Sequence, residues 1–139
     1  MWKRGRVLED FQLSYITKGK GVFQSKQSGL VRIGAGDAFL LFPGEWHRYR
    51  PDPKVEWAEY WINFNGEHAK RFVSSLFLSS RETVIQVGRN EALLQLLIAL
   101  TEGMHSDPFF NPAVAAAQGL QAIAHLVPAI NSEGDGGTA

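Results

Sequence analysis

Short β-favouring runs, each closed by glycine, proline or a polar cluster, fill the chain up to residue 88. Beyond that point the apolar residues recur at helical spacing. Phe11 to Thr17, FQLSYIT, has strand composition and ends in the turn Lys18-Gly19-Lys20-Gly21. Val22 to Ser25 and Leu30 to Gly34 follow as strands around the polar turn Lys26-Gln27-Ser28-Gly29. Ala35-Gly36 turns into Asp37 to Phe42, DAFLLF, an apolar run of strand length. Pro43-Gly44 predicts a type II turn, because proline pre-sets φ at its second position and glycine accepts a positive φ at its third. Glu45 to Tyr49 is a further short strand, closed by Pro51-Asp52-Pro53-Lys54, where two prolines cannot donate to a ladder. Val55 to Phe64 is the next strand, Asn65-Gly66 ends it, and Thr83 to Val87 is the last.

The period changes twice. From Glu67 to Leu78, Ala69, Phe72, Val73 and Leu76 recur at three- and four-residue steps and predict a short amphipathic helix. A second helix starts at Asn90, an N-cap residue type. Leu93, Leu97, Leu100 and Met104 form one stripe along it, with Leu94 and Ile98 beside it. Ser106-Asp107-Pro108 breaks it, and Asn111-Pro112 starts a third helix with a cap and a proline at the first position. Ala116, Leu120, Ile123 and Val127 share a face there, and the alanines at 113, 115, 116 and 117 with Gly119 leave a smooth surface. Met1 to Leu8 reads as an exposed basic arm, and Asn131 to Ala139 as a flexible linker-like tail.

Many short strands between tight turns, followed by helices, predict a mainly β chain: a small antiparallel barrel of the cupin-like, jelly-roll kind with C-terminal α-helices. The expected organisation is a barrel over 1–88 that includes the short helix 67–78, helices over 89–130, and a tail over 131–139. At 139 residues one domain is the natural count. Fourteen basic residues balance fourteen acidic ones, so the basic excess usual for phosphate binding is missing. With no cysteine, no disulfide or thiolate metal site is possible. The N-terminus has no signal-peptide core, and no apolar run reaches the roughly 20 residues that span a bilayer. These features point to a cytoplasmic chain without a membrane partner.

Candidate chemistry is sparse. A metal-dependent cupin wants H-x-H with further ligands on later strands. Here His47 is followed by Tyr49, a poor ligand, and His68, His105 and His125 fall in or beside helices. No metal or other cofactor is expected, and His47 also reads as a structural side chain near a turn. No nucleophile elbow is present, and Gly19-Lys20-Gly21 lacks the helix a phosphate loop requires. The strand from Val55 to Phe64 is the best site candidate. Its faces alternate: Ala58, Tyr60, Ile62 and Phe64 on one, Trp57, Glu59, Trp61 and Asn63 on the other. The second face reads equally as a solvated surface or as a pocket wall that stacks sugar C–H faces on indoles and bonds hydroxyls to polar groups.

The order G-D, apolar run, P-G-x-x-H-x-Y, P-D, W-x-x-Y-W-x-x-F-x-G, which spans Gly36 to Gly66, resembles the effector-binding domain of AraC-type transcription regulators, the arabinose-regulator family. Arg6, Asp10, Leu13, Tyr15 and the Gly19-x-Gly21 turn fit the upstream pattern. The resemblance implies a small-molecule effector, a sugar, held inside the barrel. It puts the stacking indole at Trp61 and a pocket tyrosine at Tyr49, with an arginine at Arg4. The family histidine two residues before the tryptophan is replaced by Glu59, and the longer arm that closes over the sugar is mostly missing. It further implies a homodimer through the helices, with Leu93, Leu97, Leu100 and Met104 as the seam. DNA contact would come from a helix-turn-helix pair after a linker, and nothing in this chain reads as one. The expected chain is therefore an effector-sensing and dimerisation domain, not an enzyme, with Trp61, Glu59, Tyr49, Trp57, Asn63, His47 and Arg4 as its site. A stand-alone cupin enzyme acting on sugars and a plain carbohydrate-binding module are the alternatives.

Overall fold

The computed structural model describes residues 5–76, 83–106, 108–109 and 111–130, with the side chains of 104–106 outside that description. Among the described residues eight strands and three helices follow in order: β1 (Arg6–Val7), β2 (Phe11–Lys18), β3 (Lys20–Ser25), β4 (Gly29–Gly34), β5 (Asp37–Leu41), β6 (Trp46–Pro51), β7 (Ala58–Phe64), α1 (Glu67–Ser75), β8 (Val84–Gln86), α2 (Glu91–Ser106) and α3 (Pro112–Ala124). Two four-stranded sheets form, one ordered β1-β6-β3-β4 and the other β7-β2-β5-β8. Every pairing among these strands is antiparallel.

The turns are as the residues dictate. Glu45 N–H donates to the Phe42 carbonyl at 3.2 Å around Pro43-Gly44, and Gly44 holds φ +80. Gly19 joins β2 to β3 at φ +101, and a Cβ there would lie 2.5 Å from the Glu56 carbonyl oxygen. No other residue fits without moving that loop.

The β1-β6-β3-β4 sheet is one wall of the barrel and β7-β2-β5-β8 the other. The second sheet is buried on both faces, which is why β2 alternates between two kinds of interior. Ile16, Phe23, Ile33, Phe39 and Leu41 fill the space between the sheets, with Leu8, Tyr49, Trp57 and Val84 packed against them. Phe11, Leu13 and Tyr15 point the other way, into a larger core shared with Leu40, Ile62, the α1 residues Ala69 and Val73, and the helices α2 and α3. Phe11 stacks on Phe64 with ring centroids 5.2 Å apart.

Two expectations need correcting. The predicted arm contains a strand: Arg6 pairs with His47 and Val7 with Trp46. A two-residue strand is too short to show an alternation. The leucine stripe expected at a dimer seam is used inside the chain. Leu93 and Leu97 are fully buried and Leu100 is 5% exposed, all in the core beneath the sheet. A helical stripe shows that a face is covered, not by what. Among the seam residues Met104 lies outside the described side chains, as do Arg4, the 77–78 end of the predicted helix and the tail 131–139.

α2 begins where Asn90 Oδ1 accepts from Leu93 N–H at 2.9 Å. α3 is capped the same way, Asn111 Oδ1 accepting from Ala113 N–H at 2.9 Å, with Pro112 at its first position. By length and composition alone, Pro112–Ile130 is apolar enough to cross a membrane, against the expectation that no run reaches that length. It carries Gln118, Gln121 and His125 and packs Gly119, Ala122 and Ile123 onto the rest of the domain.

Candidate functional site

The inward residues of β6 and β7 meet at the open end of the barrel. On β6, His47, Tyr49 and Pro51 face inward, and Trp46, Arg48 and Arg50 face out. On β7, Glu59 faces the barrel while Tyr60 and Ile62 pack towards the helices. Trp57, just before β7, joins the inner cluster. Together with Arg6 of β1, the residues His47, Tyr49, Pro51, Trp57 and Glu59 line a cavity of about 270 Å³, with Gly5 and Arg48 at its edge. That is just below the usual range for small-molecule sites.

Glu59 is the centre of this arrangement. Its Oε1 accepts from the Tyr49 hydroxyl at 2.8 Å and from Trp57 Nε1–H at 3.3 Å. Its Oε2 is buried and has no hydrogen-bond partner among the described residues. The Tyr49 ring packs between Phe39, at 5.0 Å, and Trp57, at 6.3 Å and nearly parallel. Burial, then the Glu59 charge, push the Tyr49 hydroxyl well above its ordinary range, so it stays protonated and donates. Two donors fix one carboxylate oxygen and leave the other for whatever enters.

His47 is the second unfilled acceptor. It is 2% exposed and its ring lies parallel to Phe23 at 6.5 Å. Nδ1 lies 3.5 Å from the Glu45 carbonyl, a long contact in which only the nitrogen can donate. Nε2 is buried without a partner among the described residues. Burial, the largest cause, lowers the pKa of His47 and the Arg6 charge lowers it further, against the raising effect of the Glu45 carbonyl. The ring is therefore neutral near pH 7, with Nε2 as a bare acceptor.

The structure brings Tyr49, Trp57, Glu59 and His47 to one cavity. Trp61 and Asn63 lie further along the same face of β7, opposite Ser14 and Gln12 of β2, and do not line it. Trp61 is 52% exposed on an edge strand. Gly5, Arg6, Arg48 and Pro51 are lining residues that the sequence pattern does not assign to the site, and Arg6 is the one on another strand. The only signal for it is its register opposite His47, which no local pattern reveals. A larger groove of about 500 Å³ runs over the outer face of the first sheet, among Lys20, Arg32, Arg50 and Lys54. It holds none of the unpartnered buried atoms, and volume alone does not make it the site. Among the described residues no three His, Asp or Glu side chains come together as a metal set.

An antiparallel two-sheet barrel with a small polar-aromatic cavity at its mouth and helices packed on one sheet defines a cupin-like ligand-binding domain. The family model for the AraC-like ligand binding domain matches residues 3–123. The chain belongs to that family, the effector-sensing domains of AraC-type transcription regulators, a regulatory family rather than an enzymatic one. It is also similar to the raffinose operon transcriptional regulatory protein RafR of Pediococcus pentosaceus, 29% identical over 87 residues. The matched stretch is 62% of this chain and 31% of that relative, so the chain spans about a third of the relative's length.

Proposed function

We propose that the barrel, residues 1–88, binds a sugar as the effector of a cytoplasmic transcription regulator, and that the helices of 89–130 dimerise it. The observation that carries the first half is the Glu59 carboxylate. A buried acceptor left without a partner costs about 1–3 kcal/mol or more when charged, and a sugar hydroxyl supplies the missing donor. Tyr49 and Trp57 give the aromatic wall that sugar C–H groups stack on. Similarity to a raffinose operon regulator supports a sugar over other small molecules. The cavity volume suits one sugar ring rather than an oligosaccharide. The chain senses and has no catalytic role; DNA is met through a helix-turn-helix domain elsewhere in the regulator.

Dimerisation is better served by the outward face of α3 than by the leucines. Ala113, Ala116 and Ala117 are exposed, Val114 is 54% exposed, and Leu120 and Ala124 are half-buried beside them. Only 22% of the apolar stretch Pro112–Ile130 is buried inside the domain, which leaves a smooth face for the same helix of a second copy.

Trp57→Leu is the test, because Trp57 lines the cavity and Trp61 does not. Leucine keeps an apolar side chain against Tyr49, so the fold survives the change. Calorimetry against pentoses and hexoses should find a bound sugar, and the variant should bind it roughly tenfold or more weakly, the scale of a removed aromatic platform. If no pentose or hexose binds the parent, the sugar reading fails. If the variant binds like the parent, Trp57 is no part of the site.

A further inference from the structure

We propose that the cavity selects an uncharged sugar over its acidic and phosphorylated forms, with Glu59 Oε2 and His47 Nε2 as the two acceptors that read a pair of its hydroxyls. This rests on the reading that the cavity holds a sugar effector. Both atoms are buried, both belong to walls of one cavity, and neither has a partner among the described residues. An anion brings acceptors to a place that already has two. A hydroxylated neutral ligand brings donors.

The charges around the cavity point the same way. Glu59 is the one acid among the described lining residues, and Arg6, opposite His47, is one of two cations there. Arg48 also borders the cavity, but its Nε and Nη2 both donate to Gln24 Oε1, at 2.9 and 2.7 Å, and its guanidinium lies 5.6 Å over the Trp46 ring. Both partners sit on the outer face of the sheet. Among the described residues the lining therefore carries one carboxylate and two guanidiniums, that of Arg48 held at Gln24 and Trp46, together with a neutral His47. A ligand of either charge meets a like charge, and Glu59, held by Tyr49 and Trp57, is fixed where it cannot turn away.

The test is calorimetry of the 139-residue chain at about pH 7.5, above the ordinary histidine pKa, with two sets of ligands: glucose and galactose, their uronic acids, their 6-phosphates and their 2-amino forms. At least one neutral hexose should bind, with its uronic acid and 6-phosphate roughly tenfold weaker or worse, the scale of forfeiting one charge-assisted hydrogen bond. Glu59→Gln keeps an oxygen for Tyr49 and Trp57 and turns only the unfilled position into a donor. It should weaken the neutral sugar roughly tenfold and strengthen its uronic acid, a change of selectivity that unfolding cannot mimic. His47→Phe keeps the ring against Phe23 but removes Nε2, and should weaken the neutral and acidic forms alike, by roughly threefold to tenfold. Acidic forms that bind the parent as well as the neutral sugar overturn the inference and leave the sugar reading standing. Glu59→Gln weakening every form equally overturns it too, since the carboxylate would then be structural. If no member of either set binds, this inference falls, while the sugar reading is decided by the wider panel of pentoses and hexoses.

Discussion

Tyr15→Phe should loosen the joint between the barrel and α2. The Tyr15 hydroxyl donates to the Gly88 carbonyl at 2.6 Å and accepts from Asn90 N–H at 3.0 Å. It thus spans the last turn of the barrel and the first residue of the helix cap, 73 and 75 residues away in sequence. The ring is 3% exposed, and phenylalanine keeps it, so no cavity opens and the energy removed is that of the hydroxyl alone. Each neutral hydrogen bond contributes about 1 kcal/mol net, and a half-buried N–H left unpaired costs about 1–3 kcal/mol. Gly88 is exposed, so water replaces the bond at its carbonyl; Asn90 is half-buried and is less easily reached. The sum is a destabilisation of about 1.5–2.5 kcal/mol. For a domain of this size that lowers Tm by roughly 5–10 °C.

Urea unfolding gives the equilibrium value, and an unchanged m shows that the denatured state is unaffected. Hydrogen exchange gives the location. Leu93 N–H is held by Asn90 Oδ1 and Leu94 N–H by the Asn90 carbonyl. Both should exchange faster in Tyr15→Phe, while the amides of the β3–β4 hairpin, on the other sheet, should not. A destabilisation below about 0.5 kcal/mol, under the range for a single net hydrogen bond, or faster exchange spread evenly over both sheets, would refute the reasoning.

Three further predictions concern the helices and His47. Leu97→Ala should cost about 2–5 kcal/mol at any protein concentration, as a fully buried core leucine does. Ala117→Glu on the outward face of α3 should turn a dimer into a monomer by light scattering with little change in Tm; a dimer that survives it would remove α3 from the interface. The lowered pKa of His47 makes the folded state prefer the neutral ring, with Arg6 adding to burial, Tyr49 on the same strand and Glu59 on β7 across the cavity. The unfolded chain binds the proton first, near pH 6.5. The His47 contribution to stability is therefore fully present above that pH and is removed as pH falls below it. His47→Gln should flatten that part of a stability–pH curve measured between about pH 5.5 and 7.5; an unchanged slope would refute the assignment.

Strands and helices were legible because their periods are carried by strong residues. The alternation Trp57, Glu59, Trp61 against Tyr60, Ile62, Phe64 appears in the structure as two faces with different neighbours. Pro43-Gly44 and Asn111-Pro112 end and start elements by backbone chemistry that no packing overrides. What could not be read was who covers a face. The stripe Leu93, Leu97, Leu100 is equally apolar against its own sheet and against a second copy. The site was half legible for the same reason. Tyr49, Trp57 and Glu59 stand close in sequence and flank one loop, so their meeting follows from strand alternation. Arg6 reaches the cavity only through a register with His47 on β6, far along the chain, which local pattern does not encode.

Sheet β7-β2-β5-β8 has a cavity on one side and helices on the other, and β7 serves both with alternate residues. Glu59 bonds Tyr49 and Trp57 in the barrel mouth. Its neighbour Tyr60 packs into the helical core, and Ile62 beyond it reaches α3, its Cδ1 lying 3.9 Å from where a Cβ on Gly119 would stand. An alanine at 119 would rest in ordinary contact with that methyl group, and a longer side chain would collide with it. β7 is an edge strand, paired only with β2, and so is held by one ladder of hydrogen bonds. The face its even residues present packs on the helices; on the other face Glu59 lines the candidate cavity, and Trp61 and Asn63 lie beyond it. A ligand that pulls on Glu59 acts on a strand whose next side chain is already seated against the helices. In a packed core such a shift is not absorbed by empty space, and it should be felt at α2 and α3. The alternation of a β-strand thus puts the cavity-lining Glu59 and the helix-packed Tyr60 one peptide apart. Linkage makes the effect reciprocal, so moving α3 should be felt at the cavity. Gly119→Leu should push α3 off Ile62 and change sugar affinity by more than roughly threefold, within the range of an allosteric coupling. Gly119→Ala, which fits the gap, should leave the affinity as it is. A folded Gly119→Leu that binds sugar like the parent would show that the two faces of β7 act independently.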